Sequence, residues 1–290
     1  MISRLTKVIV PAAGRGTRLL PATKIVSKEL IPIIDRPTVD YAVEEIAASG
    51  FQKVVFITTD VKGEIKNYFL EDQGLVSYLK EKKKDDCLNL LPRYPLSFDS
   101  IQQKEASGLG AAVLTAEKKI GNEFFAVTLV DDIIDAEVPV LQQMRSVFEQ
   151  KKTSIIAVME VADSEVPAFG IVEGNEVSPN VYKIKRLVEK PKASETSSRL
   201  AIIGRYVLSP KLFSCLKKTK PGKGGEIQLT DGLSLLLQSE EIYAYKFDGK
   251  RIDAGDKLGL LKANLYFGAK NKQWYQELKN FFESGTFSSF

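Results

Sequence analysis

No histidine occurs among the 290 residues. Its absence removes the commonest zinc ligand and the usual proton shuttle of neutral pH, so any chemistry here has to work with little general base catalysis. Cysteine is scarce too. Cys87 and Cys215 lie far apart without metal-ligand spacing, and read as plain thiols of a reduced cytosolic protein. No apolar run approaches the ~18 residues of a membrane span. The opening "MISRLTKVIV" lacks the long apolar core of a signal peptide, which points to the cytoplasm and to no membrane partner. An excess of one charge is also missing: 41 basic against 37 acidic side chains leave a net charge of +4. That balance excludes a broad polyanion-binding surface and argues against a nucleic-acid partner, so an anion site has to be local.

What is present suffices for a large core, with 44% hydrophobic and 27% charged residues. Strand-like runs alternate with helix-period ones: "KVIVP" then "PTVDYAVEEIAASG", and "KVVFITT" then "KGEIKNYFLE". Pro37 stands near the start of the first helix and Gly50 just past its end. The alternation predicts an α/β fold, a parallel sheet covered by helices on both faces. Residues 71–100, with "KEKKKDD" and "LPRYP", break the rhythm and read as a surface insertion with solvated lysines. The rhythm resumes with "GAAVLTAEKKIG" as helix and "EFFAVTLVDD" as a strand ending in two carboxylates.

After residue 135 strands dominate, in "TSIIAVMEV", "FGIVEG", "VYKIKRLVEK" and "LAIIGRYVL", with helices at "SPKLFSCLKK" and "EIQLTDGLSLLLQ". The expected division is a nucleotide-type α/β half over 1–135, a strand-rich half over 136–255 and a helical segment over 256–290. In the last, Trp274, Tyr275, Phe281 and Phe282 read as core or as cover for a partner subunit.

Directly behind the first strand stands "GRGTRLLPATKIVSK", at the place where ligands of parallel sheets settle. It is not a dinucleotide fingerprint, because the third glycine is missing, and it is not a Walker loop. What remains is Gly14 and Gly16, whose missing Cβ atoms let backbone N–H groups close on a phosphate, with Arg18, Lys24 and Lys28 to neutralise the outer charges. A triphosphate suits this set; a glycine turn with solvent-facing cations is the plainer alternative. Asp131 and Asp132 form a pair of which one or both suit magnesium, a hard ion that keeps waters and bridges phosphates, although paired acids also simply begin loops. In "VEKPK", Glu189 and Lys190 serve one ligand only if the strand ends or bends there, which Pro191 favours.

Seen together, "PAAGRGTRLLPATKIVSKELIPIIDRP", "GLGAAVL", "DDII", "VEKPK", "IGRYVLSP", "GEIQLTD" and "DAGDKLG" resemble the bacterial UTP–glucose-1-phosphate uridylyltransferases, within the wider sugar-nucleotidyltransferase family. The blocks run in order from about residue 5 to about 265, and "PATK…SKE" with "GEIQLTD" favours the uridylyl branch over the thymidylyl one. The resemblance implies a Rossmann-like, mixed, mostly parallel sheet flanked by helices, the nucleotide-diphospho-sugar transferase fold, with a strand-rich sugar-binding half. It implies a magnesium-dependent reaction in which glucose 1-phosphate attacks the α-phosphorus of UTP in line and diphosphate leaves. Such a transfer is mostly positioning and charge neutralisation, and its nucleophile is already an anion, so the missing histidine costs it nothing.

Residue roles follow from the same resemblance. Ala12 and Ala13 would lie beside base and ribose, Gly14 and Gly16 would admit the nucleotide, and Arg18 and Lys28 would bind phosphate. Gln103 and Gly108 would read the uracil edge. Asp131 and Asp253 would hold Mg2+; Gly170 and Glu189 would meet the glucose, and Lys190 its phosphate. Thr230 or Asp231 of "GEIQLTD" reads as a helix cap. A homodimer or homotetramer is implied. The alternatives are the same reaction with dTTP and a catalytically inactive nucleotide-sugar-binding regulator. Ser27, Ala111, Val130 and Phe169 depart from the family pattern, Ser27 at a place where proline would stiffen the loop carrying Lys28. Arg15, between the glycines, has no assigned role.

Overall fold

Short runs of Val, Ile and Phe without polar interruption form the middle of one nine-stranded sheet. The computed structural model describes residues 5–59, 64–104 and 107–284. Expectations for Lys62 and Gly63 in the second helix, and for the chain beyond Ser284, lie outside them. In chain order the strands are β1 (Leu5–Ala12), β2 (Pro32–Ile33), β3 (Arg36–Pro37), β4 (Lys53–Thr58), β5 (Ser97–Gln102) and β6 (Phe124–Thr128). There follow β7 (Asp132–Asp135), β8 (Ser154–Glu160), β9 (Gly170–Ser178), β10 (Val181–Glu189), β11 (Leu200–Leu208), β12 (Ile242–Lys246) and β13 (Lys250–Asp253). The helices are α1 (Thr38–Ala48), α2 (Glu64–Tyr68), α3 (Gln73–Glu81), α4 (Asp85–Asn89), α5 (Leu109–Thr115) and α6 (Glu117–Ile120). Then come α7 (Val140–Lys151), α8 (Lys211–Lys218), α9 (Leu229–Leu236), α10 (Lys257–Lys270) and α11 (Lys272–Glu283).

The strand order is β5-β4-β1-β6-β11-β8-β12-β10-β9. The first four are mutually parallel, as the alternating pattern predicts, and β11 then runs antiparallel to both β6 and β8. Side chains alternate across β1: Val8 and Val10 share a cluster with residues of α1 and α7, whereas Ile9 joins residues of α5, α8 and α9. Both faces are therefore dry, and the expected α/β sheet flanked by helices forms. In the second half β9 turns back beside the start of β11, pairing Leu200 with Val172 and Ala201 with Ile171. The strands β11, β8, β12, β10 and β9 thus close on themselves, and every residue of β11 is buried.

Three expectations change. The segment 71–100 is not all surface insertion, because "SFDSIQ" forms β5 at the edge of the sheet; an edge strand with few apolar residues carries little periodic signal. "EFFAVTLVDD" does not run as one strand: β6 stops at Thr128, and Asp132 opens β7, which pairs with β13. The aromatic residues of α11 are not core, Trp274 being 43% and Tyr275 54% exposed. Among the described residues no helix is long and apolar enough to cross a membrane.

Arg205 of β11 is 1% exposed. It donates to both carboxylate oxygens of Glu45 on α1 at 2.7–3.1 Å and to the Leu129 carbonyl at 2.8 Å. This pair ties α1 and β11 to the segment leading into Asp131. Glu45→Ala strands a buried guanidinium and is expected to cost about 3–5 kcal/mol in urea denaturation, while the double change Glu45→Leu, Arg205→Leu costs far less.

Candidate functional site

The ends of β1, β4, β5 and β6 lie along one rim of the sheet. Ala12 closes β1 and is buried with Ala13. The chain then folds through three short 3-10 turns, Thr17–Leu19, Ala22–Lys24 and Lys28–Leu30. Gly16 has φ +62°, and a Cβ there would stand 2.9 Å from Thr23 Cγ2 and 3.1 Å from Lys28 Cβ. The Thr23 hydroxyl donates to the Gly16 carbonyl at 2.8 Å. A side chain at 16 would therefore push the loop open, and its absence brings Lys28 back against the strand end. A Cβ on Gly14 would meet the Lys28 stem at only an ordinary contact distance, 3.5 Å from its Cε.

Lys28 Nζ donates to Asp131 Oδ2 at 2.9 Å, and Arg18 Nη2 stands 3.8 Å from the same oxygen. Burial works to lower the Lys28 pKa, but Asp131 and Glu29 outweigh it and hold it above its ordinary value. Burial likewise works to raise Asp131, and the Lys28 charge and hydrogen bond, with Arg18, keep it below the usual carboxylate range. Both groups are thus charged at neutral pH.

The adjacent Asp132 has a different job. It accepts from the Gly204 N–H at 3.0 Å, and the Arg251 guanidinium lies 2.5 Å from its Oδ1. Burial pushes this carboxyl up against the opposing Arg251 charge, and the neighbouring Asp131 adds to the rise. Asp253 accepts from Arg251 Nη2 and from the Gly255 N–H, each at 2.8 Å. A Cβ on Gly255 would stand 2.9 Å from Arg18 Nη2, 3.0 Å from Asp253 Oδ1 and 3.3 Å from Asp131 Oδ2. Asp131 and Asp253 therefore face a common space that any side chain at 255 would fill. Among the described residues no group of three or more His, Cys, Asp or Glu side chains could hold a metal. Two carboxylates facing one space suit an ion that completes its shell with water and phosphate oxygens, and not one that needs a closed protein cage.

Gln103 is buried just after β5, its N–H donating to the Thr58 carbonyl at 2.7 Å. Gly108 has φ +100°, and a Cβ there would stand 2.7 Å from the Ile227 carbonyl. Ile227 exchanges backbone hydrogen bonds with Ser107 and Gly110, so "GEIQ" is the surface on which "GLG" is fixed. A cavity of about 860 Å³ opens here, with Gly14, Arg15, Lys28, Lys104 and Gly225 in its walls. Farther along, Gly170 pairs with Glu189 across β9 and β10. β10 ends at Glu189 and Lys190 takes φ +45°, so the chain bends where Pro191 implied. Lys190 Nζ lies 3.4 Å from Glu189 Oε1.

Residues 7–270 match the nucleotidyl transferase family. The chain belongs to that family. It is 42% identical over 283 residues to a UTP–glucose-1-phosphate uridylyltransferase of Staphylococcus haemolyticus, covering 97% of this chain and 98% of the relative. It is also similar to a solved UDP-glucose pyrophosphorylase complexed with UDP-glucose, at 40% identity and a TM-score of 0.82, covering 92% of this chain and 100% of that one. A UTP-bound UGPase from Acinetobacter baumannii matches at 35% identity and a TM-score of 0.87, over 96% and 99%.

Within this nucleotidyl transferase, two residues escape a reading of the sequence. Thr230 and Asp231 do not cap α9: its N-cap is Gln228, which makes no side-chain cap bond. A Cβ on Gly170 would lie 3.2 Å from both Thr230 Oγ1 and Glu189 Oε2, so the threonine belongs to the group around Glu189. No local pattern marks it. Glu29 is 2% exposed, its Oε1 is without a hydrogen-bond partner among the described residues and lies 3.9 Å from Lys28 Nζ. Its only sequence signal is an acid directly before the apolar "LIPII".

Burial pushes the Glu29 carboxyl from 4.5 up to about 7, against the Lys28 charge. Because the folded form holds this proton more tightly than the unfolded one, stability is lost as pH rises through that window, by up to about 3 kcal/mol. Glu29→Gln is expected to flatten the Tm profile between pH 5 and 8 and to raise Tm at pH 8. An unchanged profile would show that the carboxylate is solvated.

Proposed function

We propose that the chain transfers uridylyl from UTP to α-D-glucose 1-phosphate, releasing diphosphate and leaving UDP-glucose. The reading rests on one observation above all. Lys28, Arg18, Asp131 and Asp253 converge on a single space at the strand ends, in a chain that matches a uridylyltransferase over nearly its full length. The reaction joins two anions, and positioning with charge neutralisation is what it needs. A cation 4 Å from a unit negative charge contributes ~4 kcal/mol at an effective dielectric near 20.

In this reading the backbone at Gly14 and Gly16 admits the triphosphate, with Ala12 and Ala13 beside the base and ribose. Gln103 and Gly108 read the uracil edge. Arg18 and Lys28 take phosphate charge, and Lys28 stays protonated because Asp131 and Glu29 hold it so. Glu189 accepts from glucose hydroxyls, Gly170 offers backbone, and Lys190 holds the sugar phosphate. Mg2+, held by Asp131 and Asp253, would supply Lewis-acid neutralisation of phosphate oxygens. The nucleotide half spans 1–135 and the sugar-phosphate half 136–255 of one shared sheet. The segment 256–290 carries an exposed aromatic face on α11, which supports a homodimer or homotetramer. The protein would work in the cytoplasm.

Purified protein is to be supplied with each of four nucleoside triphosphates, with and without Mg2+, and diphosphate release measured. UTP is expected to be preferred; a preference for dTTP would reassign the substrate. Lys28→Ala should slow turnover by roughly 10²–10³, a far larger effect than its effect on Tm. Asp131→Asn is expected to remove the Mg2+ requirement together with most activity. Gly255→Ala, which adds one methyl where the two carboxylates converge, should raise the Mg2+ concentration needed for half-maximal rate while the KM for glucose 1-phosphate holds.

A further inference from the structure

We propose that Arg251 is a positioning residue: by bridging Asp132 and Asp253 it sets the direction in which Asp253 faces its metal. This rests on the reading of Asp253 as a metal ligand. The need for a bridge lies in the strand register. Asp253 of β13 stands directly opposite Asp132 of β7 in an antiparallel ladder, so two carboxylates share one face at the closest spacing a sheet provides. Unneutralised, they repel and splay. Arg251 lies two positions before Asp253 and therefore on the same face. Its guanidinium lies 2.5 Å from Asp132 Oδ1 and 2.8 Å from Asp253 Oδ2.

The bridge itself is held on every side. Asp132 is anchored by the Gly204 N–H, and a Cβ on Gly204 would stand 2.6 Å from its Oδ2, so glycine is required for the carboxylate to sit there. The Phe169 ring centroid lies 5.2 Å from the guanidinium carbon. Phe169 is one of the departures from the family pattern, and here its ring walls the arginine. Asp253 has its Oδ2 fixed by Arg251 and its Oδ1 by the Gly255 N–H, the oxygen that faces the space shared with Asp131. A planar fork can serve two carboxylates at a set angle, whereas a lysine ammonium is a point charge that satisfies one.

Charge and orientation act in opposite directions on a metal, so Arg251→Lys is the informative change: it keeps the charge and loses the fork. Mn2+ binding is to be titrated by EPR with the full-length protein saturated with UDP-glucose, and UDP-glucose affinity measured separately in EDTA. Arg251→Lys is expected to weaken Mn2+ about tenfold, the scale seen for groups that orient metal ligands, with UDP-glucose affinity in EDTA unchanged. Asp132→Asn should shift Mn2+ in the same direction. Asp253→Asn is the control. If it weakens Mn2+ while both Arg251→Lys and Asp132→Asn bind as the unaltered protein does, the bridge is overturned and the ligand stands. If Asp253→Asn itself leaves Mn2+ binding intact, the ligand assignment falls and the bridge with it.

Discussion

Two neighbouring carboxylates between the end of β6 and the start of β7, Asp132 buried and Asp131 partly so, repel each other, and the site depends on their being turned apart. Asp131 faces Lys28 and Arg18; Asp132 faces Arg251 and the Gly204 N–H. Each has its own counter-charges, which offset the cost of placing two acids side by side, in full at Asp131 and in part at Asp132, whose carboxyl burial still pushes up. The cost appears as a break in the backbone. The chain stops β6 at Thr128 and begins β7 at Asp132, in a different ladder.

That break determines what the surrounding elements have to do. Lys28 has to return to the strand end from far along the loop, and the turn at Gly16 makes room for its stem. Arg205 holds the Leu129 carbonyl, and so the approach to Asp131, from beneath. β11 supplies both Arg205 and Gly204, pairs with β6 at one end and with β9 at the other, and is buried throughout. One strand therefore fixes the distance between the Asp131 region and the Gly170–Glu189 pair. In the proposed reading, where these two regions take mutually repelling ligands, such a rigid spacer is what they need.

Much of this was legible in the sequence because it is written in local chemistry. Glycines directly behind an apolar strand, cations at short spacing after them, and a proline just past Glu189 each state a backbone requirement that holds without tertiary context. What was not legible depends on pairing. β5 has too few apolar residues to show its period, and only its neighbour β4 makes it a strand. Asp131 and Asp132 are indistinguishable as letters; the family resemblance chose Asp131 for the metal, and the physical difference appears when β13 brings Arg251 to Asp132. Thr230 reads as a cap because threonine is favoured at helix starts, yet a Cβ on Gly170 would meet both its hydroxyl and the Glu189 carboxylate, which makes Glu189 its neighbour. The aromatic residues of α11 have the composition of a core and none of its burial.

The missing histidine and the site's electrostatics express one constraint. Lys28 is held above its ordinary pKa and Asp131 below its own, so the pair stays charged across the neutral range. Tyr206 lies within the electrostatic reach of both Asp132 and Glu189; burial first, and then those carboxylates, push its hydroxyl up so that it stays neutral. A transfer between two phosphates asks for fixed charge and not for a proton in motion, and a titrating imidazole among these groups would make that charge vary with pH. Glu29, like Asp132, is drawn toward neutrality by burial, and it lies behind Lys28, 3.9 Å from its Nζ.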